Sequence, residues 1–195
     1  KIVVAGGQEN MSLAPHAIHL RDGKKLGDAE IIDTMIKDGL WDAFHGYHMG
    51  ITAENVAEKF QVTRNEQDKF AFKSQEKALK AQKENKFAEE IVNYKIKSKK
   101  AEINFNKDEH PRDGVSLETL SRLKPVFKKN GTVTAGNASG INDGAAAVVI
   151  MSDNEAEKRN IEKLVSIKSW ASCGVDPALM GTGPIPSAKK ALDLA

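Results

Sequence analysis

The sequence predicts an α/β fold into which a large segment with its own secondary structure is inserted. Residues 2–5 form a short β-branched run that ends at Gly6-Gly7, which is typical of a buried strand. Residues 146–151 form a second apolar run, and the polar residues after it can cap a helix. A new strand is expected at 163–171, and Pro186 suits the first turn of a final helix. Strands that alternate with helices in this way indicate a layered α/β architecture.

Composition and charge restrict the classes of function. The 195 residues are 40% hydrophobic and 29% charged, which is ordinary for a protein that buries a core. The formal net charge of +2 argues against nucleic acid or a membrane as a partner. No apolar run approaches the ~20 residues that span a bilayer. The single cysteine, Cys173, excludes an intrachain disulfide and favours a reducing compartment. We therefore expect a cytoplasmic protein, with a mitochondrial location as the alternative.

The inserted segment, residues 12–140, carries several helix signals. Asp28 has the properties of an N-cap for a helix that ends at Gly39. Thr52 can cap a helix over 53–60. Thr63-Arg64-Asn65-Glu66 is a capping-box pattern, and the helix that it starts is expected to reach about Asn85. A short helix is expected at 117–123.

A change of period to two at residue 91 predicts strands. Residues 91–97 alternate between apolar and polar side chains, and Ile103 and Phe105 repeat the pattern after Lys99-Lys100. This spacing indicates an antiparallel pair with a polar connection. The lysines could form a nucleic-acid patch, but they lack interleaved aromatic residues, which favours a solvated edge.

The most unusual stretch of the sequence is 134–145, where small and amide residues exclude large side chains. Its glycines allow the backbone to turn or to approach another surface closely. One interpretation is a turn that leads into a buried strand. The other is a wall of backbone that lies against a bound ligand. The composition of the stretch leaves both open.

Two further groups of residues have properties of functional sites, and a pair of histidines does not. Residues 40–50 combine aromatic, histidine and methionine side chains, which either line a concave site or form a core-facing loop. Arg112, Arg122 and Lys124 precede the small-residue stretch and suit an anionic, nucleotide-like ligand. His16 and His19 lack further ligands at metal-site spacing, so we expect no metal site there.

The two ends of the sequence have unusual patterns. Lys1 leads directly into a strand pattern, and residues 187–195 stop within a helical pattern that has no cap. We therefore expect the chain to be a piece of a longer polypeptide.

Several strings of residues resemble motifs of the thiolase family, in collinear order over nearly the whole chain. They are Val4-Ala5-Gly6-Gly7-Gln8-Glu9-Asn10-Met11-Ser12, Ala14-Pro15-His16, Asp38-Gly39-Leu40, Gly46-Tyr47-His48-Met49-Gly50 with Thr52-Ala53-Glu54-Asn55, Thr132-Val133-Thr134-Ala135-Gly136-Asn137-Ala138-Ser139-Gly140, and Val175-Asp176-Pro177 with Met180-Gly181-Thr182-Gly183-Pro184. Within the family, His48-Met49 and the basic segment 16–25 are similar to the biosynthetic acetyl-CoA acetyltransferases.

The resemblance implies a reversible Claisen condensation of two acetyl-CoA molecules to acetoacetyl-CoA through an acetylated cysteine. This chemistry requires an activated thiolate, a base that removes an α-proton, and oxyanion holes. In thiolases the nucleophilic cysteine precedes the strand that matches residues 2–5, and the other catalytic motifs follow the last match. We therefore expect no catalytic residue in this chain, no turnover by the chain alone, and a structural role for Cys173.

The resemblance also implies an α/β thiolase fold, in which an α+β loop domain is inserted into parts of the two core βαβ layers. It further implies a division of this chain into domains. Residues 1–11 would end the N-terminal core domain, and 12–140 would form the loop domain that covers coenzyme A. Residues 141–160 would return to the N-terminal core, and 161–195 would start the C-terminal core domain. Residues 15–33 resemble a tetramerisation loop, so a homodimer or homotetramer is expected of the intact enzyme.

Coenzyme A thioesters are the implied substrates, and no separate cofactor or metal is expected. By resemblance, the residues that line the pantetheine tunnel are Leu40, His48, Met49, Ala135, Ser139 and Met180. Those that surround the adenine and phosphates are Arg112, Leu123 and Phe127. Thr119 stands where thiolases often have a serine, and it keeps the hydroxyl. The alternatives to a biosynthetic enzyme are a degradative 3-ketoacyl-CoA thiolase and a non-catalytic thiolase-like protein that binds coenzyme A or lipid.

Overall fold

The computed structural model of the protein describes residues 1–97 and 102–195. Its strands and helices are, in chain order, β1 (Ile2–Glu9), β2 (His16–Ala17), β3 (Ile32–Asp33), β4 (Trp41–Asp42), β5 (Tyr47–His48), α1 (Met49–Lys59), α2 (Arg64–Lys83), β6 (Tyr94–Lys97), β7 (Glu102–Phe105), α3 (Leu117–Ser121), β8 (Gly144–Met151), α4 (Asp153–Lys158) and α5 (Pro184–Leu194). Short 3-10 helices lie at Met11–Leu13 and Pro177–Thr182, and a π-helical turn at Met35–Gly39.

The chain divides into two compact units. The first combines residues 1–56 with 141–195, and the second comprises 57–140. The four-part division that the thiolase resemblance implies stays a prediction.

In the first unit, β1 and β8 form an antiparallel ribbon. Ile2 lies opposite Met151, and Glu9 lies opposite Gly144. The strand continues through Gly6-Gly7 instead of ending there, because these glycines keep the ladder in register with the alanines of β8. The predicted burial of β1 is wrong for this chain. Val4 is 71% exposed, since β8 is the strand that pairs with β1 in the described part of the chain.

The helix predicted over 28–39 is wrong for most of its length. Residues 32–33 form β3, which pairs with β2 so that His16 lies opposite Asp33. The Thr34 hydroxyl donates to the carbonyl oxygen of Pro15 at 2.5 Å. A backbone that pairs with another strand cannot also make helical hydrogen bonds. Helical geometry is therefore confined to the turn at Met35–Gly39.

Helix α1 begins earlier than predicted, directly after the β4–β5 hairpin. Thr52 lies inside the helix instead of capping it, and its hydroxyl donates to the carbonyl oxygen of Met49 at 2.6 Å. The backbone N–H of Met49 donates to the carbonyl oxygen of Leu40 at 2.8 Å. This long-range bond occupies a backbone donor at the helix start, so no side-chain cap is required there.

The predicted cap of α4 is confirmed, and the strand predicted at 163–171 is wrong. The Ser152 hydroxyl accepts from the backbone N–H of Glu155. Residues 163–171, all of which the structure describes, have no strand pairing, and Val165 is 85% exposed. Instead, the Ser169 hydroxyl donates to the carbonyl oxygen of Ala191 in α5 at 2.5 Å. An apolar run becomes a strand only where a partner supplies ladder hydrogen bonds.

In the second unit, the local predictions are confirmed. The Thr63–Glu66 capping box starts α2. The antiparallel pair is present, with Tyr94 opposite Phe105 and Lys97 opposite Glu102, while Lys99-Lys100 lie outside the described residues. The short helix is α3, and its N-terminus is capped by Ser116.

The buried side chains of this unit concentrate where α2 and α3 meet residues 132–138. They include the apolar Leu120 and Val133 and the polar Asp68 and Thr134. None of the helices formed by residues 1–97 and 102–195 has the length and apolar character needed to cross a membrane.

Candidate ligand-binding site

A cavity of about 540 Å³ lies within the second unit. Its size falls in the usual range for small-molecule sites. Its lining combines aliphatic and small residues with amide, hydroxyl and guanidinium groups. The residues that line it are Phe70, Ala71, Ser74, Gln75, Ala78, His110, Pro111, Arg112, Val115, Thr119, Leu120, Leu123, Ala135, Gly136, Asn137, Ala138 and Ser139.

One wall of the cavity is a face of α2. Phe70, Ser74 and Ala78 recur every four residues, so they lie on the same side of the helix. Phe70 is 78% exposed, although it is a large apolar residue. The backbone N–H of Arg112 donates to the side-chain oxygen of Gln75 at 3.0 Å. This bond fixes the loop at 110–115 against the helix.

A second part of the lining is the turn at 134–138, in the small-residue stretch. Thr134 is fully buried, and its hydroxyl accepts from the backbone N–H of Gly136 at 3.2 Å. Its carbonyl oxygen accepts from the backbone N–H groups of Asn137 and Ala138, at 3.2 and 3.0 Å. These bonds close a tight turn whose outer residues, Ala135 and Ser139, are exposed.

A side chain at Gly136 would require Leu120 and Leu123 to move. A methyl group on the Gly136 Cα would lie 2.6 Å from a methyl carbon of Leu120 and 2.6 Å from one of Leu123. The turn therefore packs directly against α3 and the residues that follow it. Glycine at this position allows the close approach without displacing the two leucine side chains.

Buried polar groups of α2 support the turn. Asp68 is 3% exposed, and its carboxylate accepts from Arg64 Nε at 2.7 Å and from Asn137 Nδ2 at 3.1 Å. Arg64 Nη2 also donates to the carbonyl oxygen of Leu120, at the end of α3. Charge-assisted bonds of this kind compensate the cost of burying a carboxylate.

The N-terminus of α3 is closed by a capping box. The Ser116 hydroxyl accepts from the backbone N–H of Thr119 at 3.1 Å, and the Thr119 hydroxyl accepts from the backbone N–H of Ser116 at 3.0 Å. The Thr119 hydroxyl also donates to the carbonyl oxygen of Ser116 at 2.9 Å. In this structure, Thr119 is thus part of the helix cap as well as of the cavity lining.

The structure brings five of the ten predicted substrate-binding residues to this cavity: Arg112, Thr119, Leu123, Ala135 and Ser139. Phe127 belongs to the same unit, but it is not among the described residues that line the cavity. Leu40, His48, Met49 and Met180 belong to the first unit.

Three of the predicted residues in the first unit are neighbours. His48 lies opposite Trp41 in the β4–β5 ladder, and Leu40 and Met49 are joined by their backbone hydrogen bond. His48 Nδ1 accepts from the backbone N–H of Gly50 at 2.9 Å. That bond fixes both the tautomer and the orientation of the imidazole, since Nδ1 must be unprotonated to accept.

Asn55 of α1 connects this hairpin to the segment that carries Met180. Its amide nitrogen donates to the Tyr47 hydroxyl at 3.3 Å and to the carbonyl oxygen of Ala178 at 3.1 Å. Met180 lies two residues further, in the 3-10 helix, and is 42% exposed.

The tip of the β4–β5 hairpin is organised by Asp42, which is 7% exposed. Burial raises the pKa of Asp42, but hydrogen bonds from the backbone N–H of Phe44 and from His45 outweigh it, so the pKa lies below its ordinary value. His45 Nδ1 lies 2.7 Å from the carboxylate, and its ring stacks on Tyr47. Phe44 is 81% exposed, so the tip is neither wholly core-facing nor a closed site.

Sequence reasoning missed the residues that support the cavity. Asp68 and Gln75 lie among the many charged and polar residues of α2, and their spacing in the sequence does not single them out. Only their bonds to Asn137 and Arg112, 69 and 37 residues away, distinguish them. Asn55 belongs to one of the thiolase-like motifs, but its contact with Ala178 could not be predicted from the spacing.

Among the residues that the structure describes, no three His, Cys, Asp or Glu side chains are grouped so that they could hold a metal ion.

Comparisons with known proteins give the family. Residues 1–154 match the family "Thiolase, N-terminal domain". The acetyl-CoA acetyltransferase of Rhizobium meliloti is 60% identical over 195 residues, which are 100% of this chain and 50% of that protein. The chain thus spans about half the length of the curated relatives it matches.

Solved structures agree in fold. The acetyl-CoA acetyltransferase of Syntrophomonas wolfei superposes with a TM-score of 0.93 at 46% identity, covering 100% of this chain and 49% of that one. Human mitochondrial 3-ketoacyl-CoA thiolase superposes with a TM-score of 0.90 at 42% identity, covering 98% and 49%. The fold is therefore that of the thiolases, as the sequence predicted. By sequence and by structure, this chain belongs to the thiolase family.

Proposed function

We propose that this chain supplies a coenzyme A-binding part of an acetyl-CoA C-acetyltransferase. The reaction would be the reversible Claisen condensation of two acetyl-CoA molecules to acetoacetyl-CoA. The names of the relatives support the reaction, and the cavity of the second unit supports the binding role. Because the chain spans about half of those relatives, the activity, substrates and partners of the whole protein are all part of the proposal.

The observation that carries the proposal is the lining of the cavity. The pantetheine arm of coenzyme A is long, thin and largely apolar, with two amides and an anionic nucleotide at one end. Ala135, Gly136 and Ala138 provide a wall without bulky side chains, along which such an arm can lie. The exposed Ser139 hydroxyl can form a hydrogen bond with an amide of the arm. The exposed guanidinium of Arg112 can bind a phosphate.

The role that we propose for this chain is to bind and orient the thioester, and we propose that other parts of the protein supply the groups that form and break bonds. A Claisen condensation requires a thiolate that takes the acetyl group and a base that removes an α-proton. The chain holds one cysteine, Cys173, whose backbone N–H donates to the Ser187 hydroxyl at 3.1 Å. We assign Cys173 a structural role, and we propose that the chain alone has no turnover.

The test compares two isosteric variants of the full-length protein. Ser139→Val removes the hydroxyl. Ser139→Thr keeps the hydroxyl, and its side chain has nearly the same volume as that of valine. We expect Ser139→Val to bind coenzyme A about tenfold more weakly by calorimetry and Ser139→Thr to stay close to the wild type. Equal affinities of the two variants would remove Ser139 from the site. A wild-type protein that binds no coenzyme A would overturn the proposed function.

A degradative 3-ketoacyl-CoA thiolase is the second candidate, because the human mitochondrial 3-ketoacyl-CoA thiolase superposes almost as well as the acetyltransferase. Thiolysis assays of the full-length protein with 3-ketoacyl-CoA substrates of increasing chain length separate the two. A preference for acetoacetyl-CoA favours the biosynthetic assignment, and a preference for longer chains favours the degradative one. Binding without any turnover would favour a non-catalytic protein.

The partners and the location are also proposals. We propose a homodimer or homotetramer in a cytoplasmic location, and light scattering of the full-length protein measures the oligomeric state.

A further inference from the structure

We propose that Asp68 is a positioning residue, which holds the 134–138 turn in the shape that a coenzyme A thioester requires. The inference rests on the proposed function. Asp68 is 3% exposed and is not among the described residues that line the cavity. It contacts Asn137, which does line the cavity, so its influence on a ligand passes through that amide.

The two oxygens of the Asp68 carboxylate have different partners. Oδ2 accepts from Arg64 Nε at 2.7 Å, and Oδ1 accepts from Asn137 Nδ2 at 3.1 Å. An ionised carboxylate only accepts hydrogen bonds, so it selects the orientation of the Asn137 amide in which nitrogen faces Asp68. The opposite orientation would place two oxygens against each other.

That orientation determines what the rest of the Asn137 side chain can do. With nitrogen towards Asp68, the amide oxygen accepts from the backbone N–H of Thr134 at 2.8 Å. The same nitrogen donates to the carbonyl oxygen of Thr132 at 3.0 Å. The Asn137 amide therefore links the backbone at Thr132 and Thr134 to Asp68. Only the orientation with nitrogen towards Asp68 satisfies all three of these partners.

The other hydrogen bonds of the network reach α3 and Thr132. Arg64 Nη2 donates to the carbonyl oxygen of Leu120 at 2.5 Å, and Leu120 lines the cavity beside Gly136. Gln67 adds a bond to the Thr132 hydroxyl at 2.9 Å. Gln67 and Asp68 follow Arg64 by three and four residues, so one face of α2 holds both the loop and turn at 132–138 and Leu120 of α3.

The inference predicts a particular kinetic signature. The turn faces the non-reacting arm of the substrate, so loosening it should weaken binding without changing the chemical step. KM for acetyl-CoA should rise while kcat stays nearly constant. A residue that merely supports folding would instead reduce the fraction of active protein, which lowers apparent kcat and leaves KM unchanged.

The first variant of the full-length protein is Asp68→Asn, which keeps the shape but removes the charge and one acceptor. We expect KM for acetyl-CoA and the dissociation constant of coenzyme A to rise about tenfold, with kcat within about twofold of the wild type. Amide hydrogen exchange at 134–138 should accelerate. Asn137→Ser, which removes both amide donors, serves as the second variant if Asp68→Asn does not fold, with the same expectations.

The matched control is Glu155→Gln. Glu155 accepts from Arg159 Nε at 2.5 Å in an i, i+4 pair like that of Arg64 and Asp68, but it is not among the described residues that line the cavity. Its loss should leave KM, affinity and exchange at 134–138 at wild-type values. An equal effect of the two substitutions would overturn the inference.

A rescue experiment tests the direct contact. Asn137→Asp places a second carboxylate against Asp68, so it should weaken coenzyme A binding more than Asp68→Asn does. The double variant, Asp68→Asn with Asn137→Asp, restores a donor opposite an acceptor and should recover several-fold of that loss. No recovery would overturn the contact as the cause.

The two proposals fail in different ways. If the wild-type protein does not bind coenzyme A, the proposed function is wrong, and the assignment of coenzyme A as the ligand of the turn is also wrong. If the wild type binds coenzyme A and Asp68→Asn binds it equally well, with unchanged exchange at 134–138, only the positioning role is wrong.

Discussion

The carboxylate of Asp143 accepts two hydrogen bonds from Ser12, one from its backbone N–H at 3.0 Å and one from its hydroxyl. The two residues lie 131 positions apart in the sequence. Each flanks one strand of the β1–β8 ribbon, so the contact fastens the end of the ribbon at Glu9 and Gly144. The hydrogen bonds from the Ser12 hydroxyl and N–H lower the pKa of Asp143 below its ordinary value of 3.8.

This contact predicts a pH-dependent contribution to stability. A carboxyl group with a lowered pKa in the folded state stabilises the fold above the unfolded pKa, and that contribution is lost as the pH falls through the folded value. The melting temperature of wild type should therefore exceed that of Asp143→Asn near neutral pH, and the difference should shrink below about pH 4. Thermal melts over a pH series measure this. A pH-independent difference would contradict the prediction.

The adjacent glycines Gly6 and Gly7 should respond differently to substitution by alanine. A methyl group on Gly6 would lie 2.5 Å from the carbonyl oxygen of Ala146, a backbone atom of the paired strand, whereas one on Gly7 meets nothing within 4 Å. We expect Gly6→Ala to lower the free energy of unfolding by about 1–3 kcal/mol and Gly7→Ala to leave it nearly unchanged. Urea denaturation of the two variants measures the difference. Equal stabilities would show that the ribbon can shift to accept a side chain.

The capping box of α2 predicts a third effect. The Thr63 hydroxyl accepts from the backbone N–H of Glu66 at 3.3 Å, and the Glu66 carboxylate accepts from the backbone N–H of Thr63 at 2.7 Å. Thr63→Ala should destabilise the protein by about 1 kcal/mol, whereas Thr63→Ser keeps the hydroxyl and should cost little. Chemical denaturation followed by circular dichroism tests both variants. A loss that is the same for alanine and serine would point away from the hydroxyl.

Cys173 provides a fourth prediction. Its side chain is half-buried, and its backbone N–H donates to the Ser187 hydroxyl. In the full-length protein, Cys173→Ser should leave kcat and KM within about twofold of the wild type, because no bond is expected to form at its sulfur. Steady-state thiolysis of acetoacetyl-CoA measures both constants. A fall in kcat of a hundredfold or more at unchanged KM would make this cysteine part of the chemistry.

Local signals in the sequence predicted the second unit better than the first. The cap of α2 depends on residues three positions apart, and the β6–β7 pair depends on a polar connection between two alternating runs. By contrast, residues 28–33 and 163–171 carry apolar patterns whose outcome depends on distant partners. Ile32 pairs with Ala17 instead of joining a helix, and Ser169 bonds to Ala191 instead of joining a sheet.

The sequence alone determined the family and the thiolase fold, and the resemblance to that family implied five of the residues that line the cavity. The tertiary structure decided which groups hold those residues in place. In the sequence, Asp68 is one of many charged residues of a polar helix. In the structure, Asn137 Nδ2, from a residue 69 positions away, lies 3.1 Å from Asp68 Oδ1. A helix period records which side chains share a face, but the burial of a carboxylate depends on what covers that face. That information exists only in the packed chain.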